Sequence, residues 1–429
     1  MSLAEKLNQD LHDAAPVLAA ALSELGQRAA FPPDIPHQSA EARGTELNAT
    51  IGQVTDGAGA PLAPASLRSV FGSLEPAEAD RAILYSAVEG IDQLRRLWSD
   101  RLQRVASVPF TLPHVTVGLT HGLSLVADLF AGPDRPVAVA APFWGNYRQV
   151  FALRRGARMV TGPAYRDGRF NPRAIVEALA GEKPGLPAVA ILNFPSNPGG
   201  YSPTGEERRE LVSGLLEEAD RRPLLVVLDD AYAGLVYEEG IPDGSLFWEL
   251  AGRHPNLAPV KVDGATKEFS FFGGRVGFLT FALPPEGAAA AAMESKLKCL
   301  LRAVVGSPPA VSQVALIRTL RDEATPGQVE AIRERLAARY RTLASALAEV
   351  DRDLLEPLPF NSGCFALIEL ERSLGLDSND VLRELLQKYD TGLIAIAPHY
   401  LRIAFCSVRN AALPELVSRL ETAVRDLAG

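Results

Sequence analysis

The sequence predicts an α/β fold: a large domain with a mostly parallel sheet sandwiched by helices, plus a smaller α+β domain. Three observations carry the prediction. From about residue 110 to 285, short apolar runs alternate with longer helical stretches such as TGEERRELVSGLLEEADRR. The runs themselves (VAVAAPFW, PAVAILNF, PLLVVLDD, APVKVDG) do not alternate apolar with polar residues, as expected of strands buried on both faces. A chain of 429 residues is also too long for one simple core.

The elements follow in order. The N-terminal MSLAEKLNQDLHDAAPVLAAALSEL places apolar residues at helical spacing among acids, which reads as an amphipathic helix and not as a signal peptide. The Gly/Pro/Ala-rich stretch TDGAGAPLAPAS suits a crossing between domains. GLTHG stands where a strand passes into the helix SLVADLF. RVGFLTFAL follows closely on another strand and suits an antiparallel addition. Beyond residue 310 come two helical stretches, VSQVALIRTLRDE and GQVEAIRERLAARYRTLASALAEV. The shorter strands NSGCFALIEL and YLRIAFCSV and a last helix complete the chain. The expected division is a large domain over 60–330 and a small one made of 1–59 and 331–429.

Composition removes several function classes. A net charge of −9 gives no basic field for a nucleic-acid partner. No apolar run reaches the roughly 18 residues of a membrane span. Cys299, Cys364 and Cys406 match no disulfide framework or zinc spacing, which fits a reducing cytoplasm. The six histidines show no metal-ligand spacing, and neither a GxSxG elbow nor a GxxxxGK[ST] loop occurs.

In open α/β sheets ligands bind where strands end. Just beyond the apolar runs stand Trp144, the stretch Asn193 to Asn197, Asp229 to Tyr232, and Lys267 to Arg275. Lys267 is unusual, because the chain uses only seven lysines against 36 arginines. A guanidinium stays protonated, whereas a desolvated lysine amine can lose its proton and act as a nucleophile. Taken singly, Asp229 reads as a cap or turn, Trp144 as core, Asn197 as turn chemistry and Arg275 as an ion-pair partner. Taken together, they match a planar, phosphate-bearing aldehyde with a ring nitrogen. The phosphate requires backbone N–H groups at a helix start, offered at Leu119 and Thr120, and an arginine, Arg275. The ring requires an aromatic face, Trp144. Its nitrogen requires a carboxylate, Asp229, its oxygen donors such as Asn197 and Tyr232, and its aldehyde the amine of Lys267.

These motifs resemble those of the class I pyridoxal-phosphate aminotransferases, of the aspartate/aromatic group with fold type I. LNFPSNPGG resembles the segment that supplies Asn197, VLDDAYAGL the one that supplies Asp229 and Tyr232, and ATKEFSFFGGRVG the lysine segment with Arg275 eight residues on. PFWGNYRQVF resembles the segment of the stacking Trp144. The resemblance implies further roles. Tyr85 in LYSAVEGI reaches the cofactor phosphate of a neighbouring subunit, and Arg402 in YLRIAF holds the substrate α-carboxylate. Arg302 holds a distal carboxylate across the dimer interface, an arginine that relatives without that preference also keep. Gly52 in NATIGQVTD lies on a loop that closes over substrate. The chain departs from the pattern at Gly199, at Gly264, where a hydroxyl residue is common and whose phosphate contact Thr266 can supply, and at Tyr147, where close relatives have a histidine.

The resemblance implies pyridoxal 5′-phosphate as cofactor, a homodimer with shared active sites, and small-molecule amino acid and 2-oxo acid substrates. A lyase or β-eliminating enzyme on the same fold, or a non-catalytic regulatory relative, are the alternative readings. Residues 1–59 lack the basic charge and length of a regulator's DNA-binding domain.

Overall fold

The computed structural model describes residues 1–32 and 34–429. Seven strands form the main sheet: β1 His114–Val117, β2 Val137–Ala141, β3 Met159–Pro163, β4 Ala188–Leu192, β5 Leu224–Asp229, β6 Leu257–Gly264 and β7 Val276–Phe281. Their spatial order is β1-β7-β6-β5-β4-β2-β3. The pairs among β2 to β6 are parallel, and β7 runs antiparallel between β1 and β6. RVGFLTFAL is thus antiparallel as read from the sequence, and it lies inside the sheet, not on its edge.

The strands are apolar throughout because helices cover both faces. On one side Trp98 stacks on Phe278 at 4.1 Å between ring centroids, within a cluster that includes Leu94, Leu215 and Phe247. On the other, Leu123, Phe151, Val227 and Leu279 share a second cluster. Each such side chain removed from water stabilises the fold by about 1.5–3 kcal/mol. Helix Gly205–Arg221 begins with a capping box, Thr204 and Glu207 satisfying each other's backbone N–H groups.

A four-stranded antiparallel sheet follows, β8 Leu355–Pro357, β9 Ala366–Leu370, β10 Ile394–Ile396 and β11 Tyr400–Ile403, in the order β8-β9-β11-β10. Residues 38–55 are tied to this part of the chain. Leu47–Asn48 pairs with Thr391–Gly392, and the Gln38 side chain bonds both backbone groups of Ala395. The long helix Thr325–Ala348 crosses residue 330. Its first residue bonds Ser66, while Tyr340, Leu343 and Leu347 pack with the second sheet.

The N-terminal segment corrects the single amphipathic helix expected there. It forms three short helices, Leu3–Ala14, Pro16–Ala21 and Glu24–Arg28, and none buries a residue. Pro16, at the first position of the second helix, cannot continue the ladder of the first. Among the described residues no helix is long and apolar enough to cross a membrane.

Candidate active site

The C-terminal ends of the parallel strands lie along one edge of the sheet, and the chemistry-bearing residues stand there. Trp144 follows β2, Asn193 follows β4, Asp229 closes β5, and Lys267 follows β6. Because β7 is antiparallel, its beginning lies at the same edge, so Arg275 precedes its strand. Arg402 comes from β11 of the smaller sheet. Of the residues singled out in the sequence, Gly52, Leu119, Thr120, Trp144, Asn197, Asp229, Tyr232, Thr266, Lys267, Arg275 and Arg402 line one cavity of about 290 Å³. Tyr85 and Arg302 do not line it. Tyr85 is 99% exposed, and Arg302 is exposed on helix Ala288–Val305.

GLTHG is itself the first part of the helix, which starts at Gly118 directly after β1 and runs to Phe130. Gly118 has φ +74, and a Cβ there would lie 2.5 Å from Nη2 of Arg275. The glycine therefore lets the guanidinium lie against the helix start, where unpaired N–H groups and the dipole favour an anion. Nη1 of Arg275 donates to the Phe272 carbonyl at 3.2 Å. The Thr266 hydroxyl is buried without a hydrogen-bond partner. Gly264 is bare for a packing reason: a Cβ would stand 2.6 Å from the Val276 carbonyl oxygen and 2.9 Å from the Gly277 Cα. Gly264→Ser is accordingly expected to destabilise the protein by about 1–3 kcal/mol, read as a lower Tm, without strengthening phosphate binding.

Lys267 is half-buried. Its Nζ donates to the Gly52 carbonyl at 2.6 Å and lies 5.1 Å from the ring centres of both Tyr232 and Phe272. Burial holds the amine below the ordinary lysine value, and Arg402 and Arg275 push the same way. Asp229 is buried, and burial pushes its carboxyl up to about 6, against the pull of a hydrogen bond from Tyr147. That bond, from the phenol to Oδ2, is 2.6 Å long, and among the described residues Oδ1 has no hydrogen-bond partner. Asn193 donates to the Asp229 carbonyl at 2.7 Å and accepts the Asn197 N–H at 2.7 Å, which fixes the loop that carries Asn197.

Arg402 is a buried cation, and among the described residues it forms no ion pair. Nη1 donates to Oδ1 of Asn197 at 3.0 Å and Nη2 to the Thr50 carbonyl at 2.6 Å. The guanidinium lies 4.3 Å from the Phe365 ring centre, and Nε has no partner. Burial lowers its pKa to about 10.

Residues 55–420 match the family Aminotransferase class I and II. The chain belongs to this family. The aminotransferase is 28% identical over 383 residues to the valine–pyruvate aminotransferase of Mycobacterium tuberculosis, covering 86% of this chain and 88% of that protein. Its fold is that of an aminotransferase from Anaerococcus prevotii, with a TM-score of 0.80 at 21% identity over 94% of this chain and 99% of the other. The α-aminoadipate aminotransferase LysN of Thermus thermophilus, complexed with N-(5′-phosphopyridoxyl)-L-leucine, superposes with a TM-score of 0.73 at 22% identity over 96% and 98%. The protein is a transaminase of fold type I that works with pyridoxal 5′-phosphate.

The residues present fit that cofactor. The Thr266 hydroxyl and Oδ1 of Asp229 are buried polar atoms without partners, one for a phosphate oxygen and one for a ring nitrogen. Five lining residues of this aminotransferase had no role assigned from the sequence: Ile35, Ile51, Asn193, Ala231 and Phe365. Asn193 was in view as the start of its loop. Phe365 sits inside an apolar strand run and gave no signal, because its contact with Arg402 joins β11 to the residue before β9.

Proposed function

We propose that this aminotransferase exchanges an amino group between a dicarboxylic or aromatic L-amino acid and a 2-oxo acid such as 2-oxoglutarate, as a cytoplasmic homodimer. One observation carries the reading. A desolvated amine, a carboxylate oxygen without a partner and a buried arginine without an acid face one cavity. When bound, pyridoxal phosphate supplies an aldehyde and an electron-withdrawing ring nitrogen.

The chain's own residues divide the remaining work. The N–H groups of Leu119 and Thr120, the hydroxyls of Thr120 and Thr266, and Arg275 hold the phosphate. Trp144 covers one face of the ring. Asp229 keeps a proton on the ring nitrogen, and Asn197 and Tyr232 donate to the ring oxygen. Arg402 takes the α-carboxylate of the amino acid on Nε and Nη1, with Asn197 beside it. Nζ of Lys267 removes the Cα proton of the donor and would return it to the carbon of the cofactor's aldehyde group. Its single hydrogen bond, to the Gly52 carbonyl, keeps the amine near that path. Gly52 belongs to the loop that shuts out water.

The side chain of the donor has room. A cleft of about 1250 Å³ shares Ile35, Trp144, Asn197 and Arg402 with the cavity, and adds Phe31, Leu153 and Leu386 as apolar wall and Arg148 as a cation. The relatives' names span an apolar donor, valine, and a dicarboxylic one, α-aminoadipate. Exposed Ile83, Leu84 and Tyr85, with Val304 and Val305 beside Arg302, form apolar surface that a second copy covers. In that dimer Tyr85 adds to the phosphate site and Arg302 to the distal end of a dicarboxylic donor.

A panel of amino donors against 2-oxoglutarate tests the reading. The expected result is 2-oxo acid formed in step with glutamate, fastest for dicarboxylic or aromatic donors. Catalytic release of 2-oxo acid with no acceptor present contradicts it and points to elimination.

A further inference from the structure

We propose that Tyr165 is a positioning residue: its phenol fills the place of a side chain at Gly199 and sets the loop that presents Asn197 to Arg402. The proposal rests on the readings of Asn197 and Arg402 given above. At position 199 the family pattern has a threonine, and this chain has a glycine. The reason is steric. A Cβ at Gly199 would overlap the phenol oxygen of Tyr165, and it would lie 2.8 Å from Oγ of Ser196 and 3.3 Å from Cζ of Tyr165. The phenol oxygen thus stands where the first atom of a side chain would be. Tyr165 reaches this point from a short hairpin just after β3, in which Tyr165–Arg166 pairs with Arg169–Phe170.

The hairpin grips the loop at three points. Phe170 packs on Phe194 at 5.7 Å and on Tyr201 at 5.1 Å between ring centroids, at the two ends of the loop, and Tyr165 meets its middle. Within the loop, the Gly200 N–H donates to the Ser196 carbonyl at 2.9 Å, the Ser196 N–H to the Tyr201 carbonyl at 2.9 Å, and the Tyr201 N–H to Oγ of Ser196 at 3.1 Å. Asn197 lies in the chain between Ser196 and Gly199, the two residues beside the phenol. The far side of the loop rests on the segment before β9. There the Gly200 carbonyl accepts the N–H groups of Asn361 at 3.0 Å and Ser362 at 2.9 Å, and a Cβ at Gly200 would overlap the Phe365 carbonyl oxygen. Asn197 and Phe365 both touch the Arg402 guanidinium. A shift of the loop at Tyr165 therefore reaches two of the groups that hold Arg402. Burial raises the pKa of the phenol and the Ser196 hydroxyl beside it pulls the other way, so the phenol stays protonated through neutral pH.

The test compares wild type, Tyr165→Phe, Gly199→Ala, the double variant and Asn197→Ala, each as holoenzyme reconstituted with pyridoxal phosphate. The readouts are donor KM and kcat, the dissociation constant of 3-phenylpropanoate (a carboxylate without an amino group), and amide hydrogen exchange over residues 194–201. For Tyr165→Phe we expect donor KM and the probe's dissociation constant to rise about fivefold, the size of one ordinary hydrogen bond, with kcat within about twofold. Exchange at Gly200 and Tyr201 speeds up by a similar factor. Gly199→Ala costs about tenfold in kcat/KM, and adding Tyr165→Phe recovers most of that loss, because the oxygen that meets the new methyl is gone. If Gly199→Ala does not fold, Tyr165→Phe decides by itself. Tyr165→Phe with wild-type KM, probe affinity and exchange, or losses that simply multiply in the double variant, overturns the inference while Asn197→Ala remains impaired. If Asn197→Ala also behaves as wild type, the reading of Asn197 fails, and the inference with it.

Discussion

Lys267→Ala is expected to abolish transamination and the visible absorbance of bound cofactor while leaving the fold intact. Loss of a positioned base alone costs about 10²–10⁴-fold, and here the attachment point for the aldehyde goes with it. Among the described residues that line the cavity there is no other amine, and the remaining cations are the guanidinium groups of Arg275 and Arg402. Lys267→Arg fails for the same reason, since it keeps the charge and loses the nucleophile. Stability separates this from simple damage. The side chain's one hydrogen bond is to the Gly52 carbonyl, and burial opposes its charge. Its removal leaves no acid without a partner, so the Tm of the cofactor-free chain should change by no more than about 1 kcal/mol of stability allows. A Lys267→Ala enzyme that turns over at the normal rate removes the base from the mechanism.

Arg402→Met is expected to reduce kcat/KM for amino donors by roughly 10²–10³-fold, the about 2–5 kcal/mol attached to one partner of a buried charge pair. The unusual half of this prediction concerns stability. Breaking a buried ion pair ordinarily costs about 3–5 kcal/mol, because a charge stays behind unpaired. Among the described residues no acid pairs with Arg402, and burial already disfavours its charge. What the substitution strands is the Thr50 carbonyl and the Asn197 side chain, while the Phe365 face gains an apolar neighbour. The substrate-free variant should therefore melt close to wild type. The pH dependence has a definite sign. With its pKa lowered to about 10, Arg402 stays charged through neutral pH and loses its proton only as pH rises through that value. Donor KM should be level on this account up to about pH 9 and climb above it. A large fall in Tm with unchanged KM would make Arg402 structural only.

How far the sequence reaches depends on how local each feature is. The strands were legible because runs such as PLLVVLDD are apolar on both faces, and a strand's end follows from where its run stops. Residues at strand ends are thus fixed together by topology, which is why Trp144, Asp229 and Lys267 meet. The turn between β6 and β7 returns the chain to the same edge, so Arg275 joins them. Contacts between distant segments were not legible. The bond from Tyr147 to Asp229 spans 82 residues, and the Phe365 face against Arg402 depends on how the smaller sheet meets the larger one. Gly264 looked like a missing hydroxyl, and only the closeness of the Val276 carbonyl shows why no side chain fits. The break in the N-terminal helices was legible in principle, since Pro16 lies within the stretch read as one helix.

The central claim is that the amine of Lys267 carries the cofactor. Borohydride reduction of the holoprotein, followed by peptide mapping, tests it most directly. The account predicts one stable pyridoxyl mark, on Nζ of Lys267, in the peptide that also holds Thr266. A mark on Lys261 or any other lysine, or no mark at all on protein saturated with pyridoxal phosphate, contradicts it.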